Sequence, residues 1–338
     1  MDEKAALERL CEGGSLSREE TEGLFGRLMD GGVSDVHQAA LLAAFAAKGE
    51  TRDEIVGAAT AMRRRSIAIP HRVENVVDTC GTGGDGTSTF NISTAAALVA
   101  AGAGVRIAKH GNRSVSSQCG SADVLEELGV VVQTTPEAAA KSLETVGIAF
   151  LFAPALHPAM KEVMPVRRAL GVRTLFNLLG PLTNPAGARR QVMGVPAPKW
   201  VRRHAEVLAE LGCDHALVVH GEGLDEITTT GETRVAEVRG EEVESYRVKP
   251  GDFGIATATL ADLAGGDAAE NAGKMRGVLA GEPGPLADVT VLNAGAAIYV
   301  SGDAASLADG VEKAREALLS GAGAAKLAEL VAASEAGS

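Results

Sequence analysis

The sequence predicts an α/β protein in which a small N-terminal helical domain joins a larger α/β domain with a mostly parallel sheet flanked by helices. Three observations carry this expectation. The first 65 or so residues hold repeated helix-start signals. After Arg65, short β-branched runs alternate with Ala-rich stretches, the pattern of βαβ units. Hydrophobic residues make up 46% of the chain but aromatics only 3%, so the core must be built from Ala, Val and Leu in closely packed layers. A length of 338 residues allows two cores, since domains commonly run about 100 to 200 residues.

In chain order, Ser17 with Glu20 and Thr51 with Glu54 form capping boxes, and Ser34 can cap a helix between them. Gly31-Gly32 and Gly49 separate these helices. Leu41, Leu42 and Phe45 share one helical face, which needs a partner helix. Strands are expected at 76–79, 105–108, 130–133, 148–152, 191–195 and 215–220, with helices in most of the gaps. From Asn271 onward the chain reads as largely helical, with breaks at 281–285, 301–302 and 321–323, and should cover the sheet.

Charge and cysteine usage narrow the function classes. Lys plus Arg at 32 against Asp plus Glu at 44 gives a net charge of −12, which disfavours nucleic acid and anionic membranes as partners. Cys11, Cys80, Cys119 and Cys213 show no C-x-x-C spacing, so they read as reduced thiols rather than a zinc site or disulfide framework. No apolar run approaches the roughly 18 residues of a membrane span, and the N-terminus lacks a leader pattern. A cytoplasmic location is expected.

Chemistry concentrates at strand ends. The run Asp78-Thr79-Cys80-Gly81-Thr82-Gly83-Gly84-Asp85-Gly86 places an acid inside a glycine-rich strand-to-helix loop. Glycines let backbone amides approach phosphate oxygens, and the following helix adds its positive N-terminal end. Asp85 would repel phosphates unless it holds ribose hydroxyls, a loop amide or a divalent cation. Gly81, Gly83 and Gly86 also match G-x-G-x-x-G, but a dinucleotide site wants an acid about 20 residues on, where this chain has Lys109-His110-Gly111-Asn112-Arg113. That basic run, continuing through Ser114, Val115, Ser116 and Ser117 to Ser121, can wrap a pyrophosphate, with Ser121 capping the next helix; a solvated loop is the plainer reading.

His157 and the pair Arg167-Arg168 follow another expected strand. One guanidinium can clamp a carboxylate in two hydrogen bonds, although most arginines sit in surface ion pairs. A run from Leu179-Gly180-Pro181 to Pro185 forms a turn stiffened by two prolines, which can serve as a rigid wall for a flat ligand. The adjacent carboxylates Asp225 and Glu226, after the strand at 215–220, can hold magnesium facing a phosphate cradle; alone, such a pair is usually solvated surface.

Taken together, Gly81-Thr82-Gly83-Gly84-Asp85, Asn91-Ile92-Ser93-Thr94, Lys109 to Arg113, His157-Pro158-Ala159-Met160-Lys161, the Leu179 to Pro185 run and Asp225-Glu226 resemble the anthranilate phosphoribosyltransferase family, nearly end to end. The resemblance implies transfer of a phosphoribosyl group from phosphoribosyl pyrophosphate to anthranilate in tryptophan biosynthesis, with Mg²⁺ as the metal. It implies that Gly81, Gly84, Asp85, Thr89, Asn91, Ile92, Ser93, Thr94, Lys109, His110, Gly111, Asn112, Arg113, Ser114, Val115, Ser116, Ser117 and Ser121 hold phosphoribosyl pyrophosphate. Gly81, Asn112, His157, Arg167 and Pro181 would bind anthranilate, and Ser93, Asp225 and Glu226 would bind magnesium. His110 is a candidate for proton removal. The implied domains are 1–70, with a later segment near 160–185 packing on it, and 71–338. A homodimer without a fused glutamine amidotransferase is expected. The nearest enzymatic rival, a pyrimidine nucleoside phosphorylase, is disfavoured by the anthranilate-side segments and the Asp225-Glu226 pair.

Overall fold

The computed structural model describes residues 1–114 and 118–337. Four helices open the chain: α1 (Glu3–Cys11), α2 (Arg18–Met29), α3 (Asp35–Lys48) and α4 (Arg52–Arg63). The local signals act as read. Ser17 and Thr51 accept from the Glu20 and Glu54 amides in reciprocal capping boxes, and Ser34 accepts from His37 N. Leu41, Leu42 and Phe45 are fully buried, with the Phe45 ring 5.7 Å from that of Phe25 on α2.

The larger part then alternates strands and helices: β1 (Val77–Asp78), α5 (Ile92–Gly102), β2 (Ile107–Gly111), α6 (Ser121–Glu127), α7 (Pro136–Thr145), β3 (Ile148–Phe152), α8 (Ala153–Leu156), α9 (Met164–Leu170), α10 (Phe176–Leu179), β4 (Arg190–Gly194), α11 (Pro198–Glu210), β5 (His215–Gly221), β6 (Thr233–Arg239) and β7 (Glu242–Val248). Four more helices, α12 (Ala268–Leu279), α13 (Pro285–Ser301), α14 (Leu307–Leu319) and α15 (Ala322–Glu335), complete it. The seven strands run in the order β3-β2-β1-β4-β5-β6-β7. The first five are mutually parallel, and β6 and β7 add an antiparallel hairpin. Its outer strand β7 is mostly exposed.

Side chains alternate across the sheet, and the two faces feed different cores. Leu217 and Val219 of β5 join a core with α5, α12, α13 and α14. Ala216 and Val218 point the other way, into a core that runs through α11 to α2, α3 and α4. Phe176 belongs to this second core, its ring 5.1 Å from Phe25, so the stretch from α9 to α10 is seated on the N-terminal helices.

The fold departs from expectation in three places. Residues 130–133 form no strand: Val130 and Val132 are buried, but the amide of Val131 donates to Ser334 Oγ at 2.9 Å instead of to a neighbouring strand. Ser121 does not cap α6. The N-cap is Gly120, whose amide donates to Asp123 Oδ2 at 2.8 Å, while the Ser121 hydroxyl donates to Asn112 O. The β6–β7 hairpin has no counterpart among the expected strands; it turns at Gly240, whose φ of +60° lies in the left-handed region. Among the described residues, no single helix is long and apolar enough to cross a membrane.

Candidate active site

In an open parallel sheet, ligands gather where neighbouring strands send their connections to opposite sides, beyond the carboxyl ends. Here that point lies at β1, which pairs with both β2 and β4. The glycine-rich loop leaves β1, the basic run extends from β2, Gly194 ends β4, and Asp225-Glu226 follows β5.

The glycine loop is seated against Asp225. Gly83 N donates to Asp225 Oδ2 at 2.8 Å, and Thr82 N donates to Gly194 O at 2.9 Å. The approach is close enough that a Cβ on Gly194 would run into the Asp225 carbonyl, which explains glycine there. Asp85 folds back to accept from the Thr87 amide and hydroxyl at 3.0 and 2.7 Å. Burial, with the charge of Asp85 and a hydrogen bond between the two carboxyl groups, pushes Asp225 up to about 7. Burial and the Asp225 charge likewise raise Glu226 well above the usual carboxylate range, partly offset by Lys109. Asp225 and Glu226, with Asp85 close enough to raise both, offer oxygen ligands of the kind magnesium takes, and the Glu226 carboxyl accepts from the Ser93 amide. A divalent cation would relieve the repulsion that their own burial creates.

Lys109, buried in the middle of β2, is fixed by three acceptors: Thr79 O at 2.7 Å, Thr79 Oγ1 at 3.4 Å and Ser93 Oγ at 3.1 Å. Ser93 and Thr94 lie in the first turn of α5, the helix that follows the glycine loop. Asn91 is held by Asn271 and donates to Cys119 O, and Thr89 bridges to Ala264. Gly111 leaves room for Phe150, and a Cβ there would lie 2.6 Å from its ring. Arg113 is turned outward, paired with Glu126 and Asp123 and stacked over Phe152. Val115, Ser116 and Ser117 lie outside the described residues.

The second half of the site adjoins β2. His110 Nδ1 lies 3.1 Å from Gly180 O, so it carries the proton, and Nε2 lies 3.2 Å from His157 Nε2. Burial, and for His110 also its partner imidazole, lowers His110 to about 3 and His157 to about 4, so both are neutral at pH 7. His157 Nδ1 is buried with no hydrogen-bond partner. Gln191 Nε2 donates to Pro181 O at 2.7 Å and Asn184 Nδ2 to Ala108 O at 2.8 Å, which pins the proline turn between β2 and β4. Arg167 on α9 lies with its guanidinium 5.4 Å from the Phe176 ring centre and, among the described residues, forms no ion pair. Asp78, Cys80 and His110 also bring ligand-type atoms within 4.8 Å of one another, but Asp78 Oδ1 already accepts from His110 N and both His110 ring nitrogens are engaged.

Sequence reading gives no role to Asp78, Asn184, Gln191 or Arg173. Asp78 and Asn184 stand inside the glycine-rich run and the proline turn, whereas no local signal marks Gln191 or Arg173.

Residues 73–324 match the model of a glycosyl transferase family α/β domain, and residues 4–66 that of the same family's helical bundle domain. The chain is 53% identical over 328 residues to the anthranilate phosphoribosyltransferase of Anaeromyxobacter sp. (strain K), covering 97% of each. It belongs to the anthranilate phosphoribosyltransferase family. The Rubrobacter xylanophilus member is also 53% identical, over 97% of this chain and 96% of its own. The crystal structure of the Thermus thermophilus member superposes with a TM-score of 0.93 at 47% identity, covering 98% of this chain and 99% of that one. The Saccharomyces cerevisiae anthranilate phosphoribosyltransferase in complex with phosphoribosyl pyrophosphate and Mg superposes at 0.89 with 26% identity, over 99% and 98% of the two chains.

Proposed function

We propose that this enzyme transfers the phosphoribosyl group of 5-phosphoribosyl 1-pyrophosphate to the amine of anthranilate, giving N-(5-phosphoribosyl)anthranilate and pyrophosphate in tryptophan biosynthesis. The observation that carries this reading is the meeting of two unlike half-sites on adjacent residues of β2. Lys109 faces the glycine loop and its acids, while His110 faces the proline turn and His157.

On the first side, the loop amides and Lys109 would hold the pyrophosphate together with Gly81, Gly84, Asp85, Thr89, Asn91 to Thr94, the run from Gly111 to Ser117, and Ser121. Magnesium, held by Ser93, Asp225 and Glu226, would neutralise charge on the departing pyrophosphate when bound. On the second side, Arg167 would take the anthranilate carboxylate in a two-point fork, with Gly81, Asn112, His157 and Pro181 shaping its seat. The C1–oxygen bond of the ribose breaks as the amine attacks, so alignment and electrostatic stabilisation supply most of the catalysis. The attacking amine is neutral at pH 7 and needs no covalent helper. His110 is the candidate for proton removal: a proton taken up at the unpartnered Nδ1 of His157 would release the His157 Nε2 proton to Nε2 of His110, whose Nδ1–H stays on Gly180 O. We further read residues 1–70, with the segment near 160–185 on them, and 71–338 as the two domains, and the protein as a cytoplasmic homodimer joined through its helical domains.

The test is anthranilate fluorescence, which should decay only when phosphoribosyl pyrophosphate and Mg²⁺ are both present and should stop decaying on chelation. A steady signal with ample folded protein and both additions would sink the proposal.

A further inference from the structure

We infer that Arg173 is a positioning residue for the glycine-rich loop, holding it in register from the segment that carries Arg167; this rests on the function proposed above. After α9, Gly171 adopts a left-handed φ of +64° and turns the chain back, so that Arg173 reaches across to the loop. Its Nη1 donates to Gly84 O at 2.8 Å, and both terminal nitrogens lie 3.3 Å from Gly83 O. The same stretch of loop is gripped from its other side by Asp225, through the Gly83 amide. A cation on the carbonyls and a carboxylate on the amide thus fix the orientation of successive peptide groups, and with it the direction in which the remaining amides point. Gly84 has a φ of +78°, and a Cβ on it would overlap the Arg173 guanidinium.

Several features separate this contact from an ordinary surface arginine. Among the described residues Arg173 forms no ion pair, and its guanidinium donates to loop carbonyls about 90 positions away in sequence. Its own base is rigid, because Thr174 N donates to Asn177 Oδ1 at 2.9 Å and Phe176 is wedged against Phe25. The seat of Arg167 is therefore held independently of Arg173, and losing the Arg173 side chain frees the loop alone. A planar fork with several donors can span two successive carbonyls, whereas a lysine ammonium offers a single point.

The experiment compares wild type, Arg173→Ala and Arg173→Lys by steady-state kinetics, melting temperature and hydrogen exchange of the peptide covering 81–87. Arg173→Ala should raise KM for phosphoribosyl pyrophosphate roughly tenfold, the effect of losing one charge-assisted hydrogen bond. KM for anthranilate and the melting temperature should stay near wild type, and exchange in 81–87 should quicken. Arg173→Lys should recover part of the loss. Unchanged exchange in 81–87, or equal losses for both substrates with a lowered melting temperature, overturns the inference. Wild type that binds neither substrate refutes the function instead, and the exchange comparison still decides the role of Arg173.

Discussion

At the scale of single residues, the imidazole pair gives the clearest consequence. Burial lowers His157 to about 4 and His110 to about 3, whereas an unfolded histidine titrates near 6.5. Below that value the unfolded chain binds more protons than the folded one, so stability is complete above pH ~6.5 and declines as pH falls toward 4, at up to about 1.4 kcal/mol per pH unit for each group. The urea midpoint of wild type should fall between pH 6.5 and 5, and His157→Asn should fall less. Parallel pH dependence in the two proteins would show that the pair does not drive the acid sensitivity. The gathering of Asp85, Ser93, Lys109 and His110 at one end of the sheet was legible because each stands in a short motif of chemical type. Arg173 was not, because an exposed arginine after a glycine looks like any other until the fold brings the loop to it.

At the scale of elements, the hairpin that the sequence did not announce is held by a polar knot. Glu237 on β6 accepts from Tyr246 OH at 2.9 Å and Tyr299 OH at 3.0 Å, with His215 Nε2 at 3.0 Å and Arg239 Nε at 2.8 Å. Burial would raise this carboxyl, but the hydrogen bonds from His215, Tyr246 and Tyr299 and the charge of Arg239 outweigh it and bring it down to about 2. The stability that the carboxylate contributes is present above its ordinary range and is lost as pH falls from about 4.5 toward 2. Glu237→Gln keeps the shape while weakening four contacts, and should cost about 1–3 kcal/mol in urea unfolding at pH 7. A cost below about 0.5 kcal/mol would mean that the knot is decorative. Helix starts were readable because a capping box closes within four residues. The hairpin, the sheet order and the failed strand at 130–133 depend on partners far along the chain: Val131 finds Ser334, and Gly83 finds Asp225, contacts that no local pattern encodes.

At the scale of the whole molecule, one hydrophobic core links the N-terminal helices, α10, α11 and one face of β4, β5 and β6. The helical part therefore has no separate interior to lose first. Calorimetry should give a single cooperative transition, and an early, separate melting of the N-terminal helices would contradict that continuity. The expected layout of small helical and larger α/β parts was legible from the change in texture after Arg65. The shared core was not, since it depends on which face of α11 meets α4. The sheet also has to stop somewhere. At its β7 edge the strand exposes Glu242, Glu244, Ser245 and Arg247, so another chain laying a strand along this edge would have to desolvate charges to pair with it. The hairpin thus works as a guard against edge-to-edge aggregation, which protects a protein whose parallel strands could otherwise recruit more of their kind.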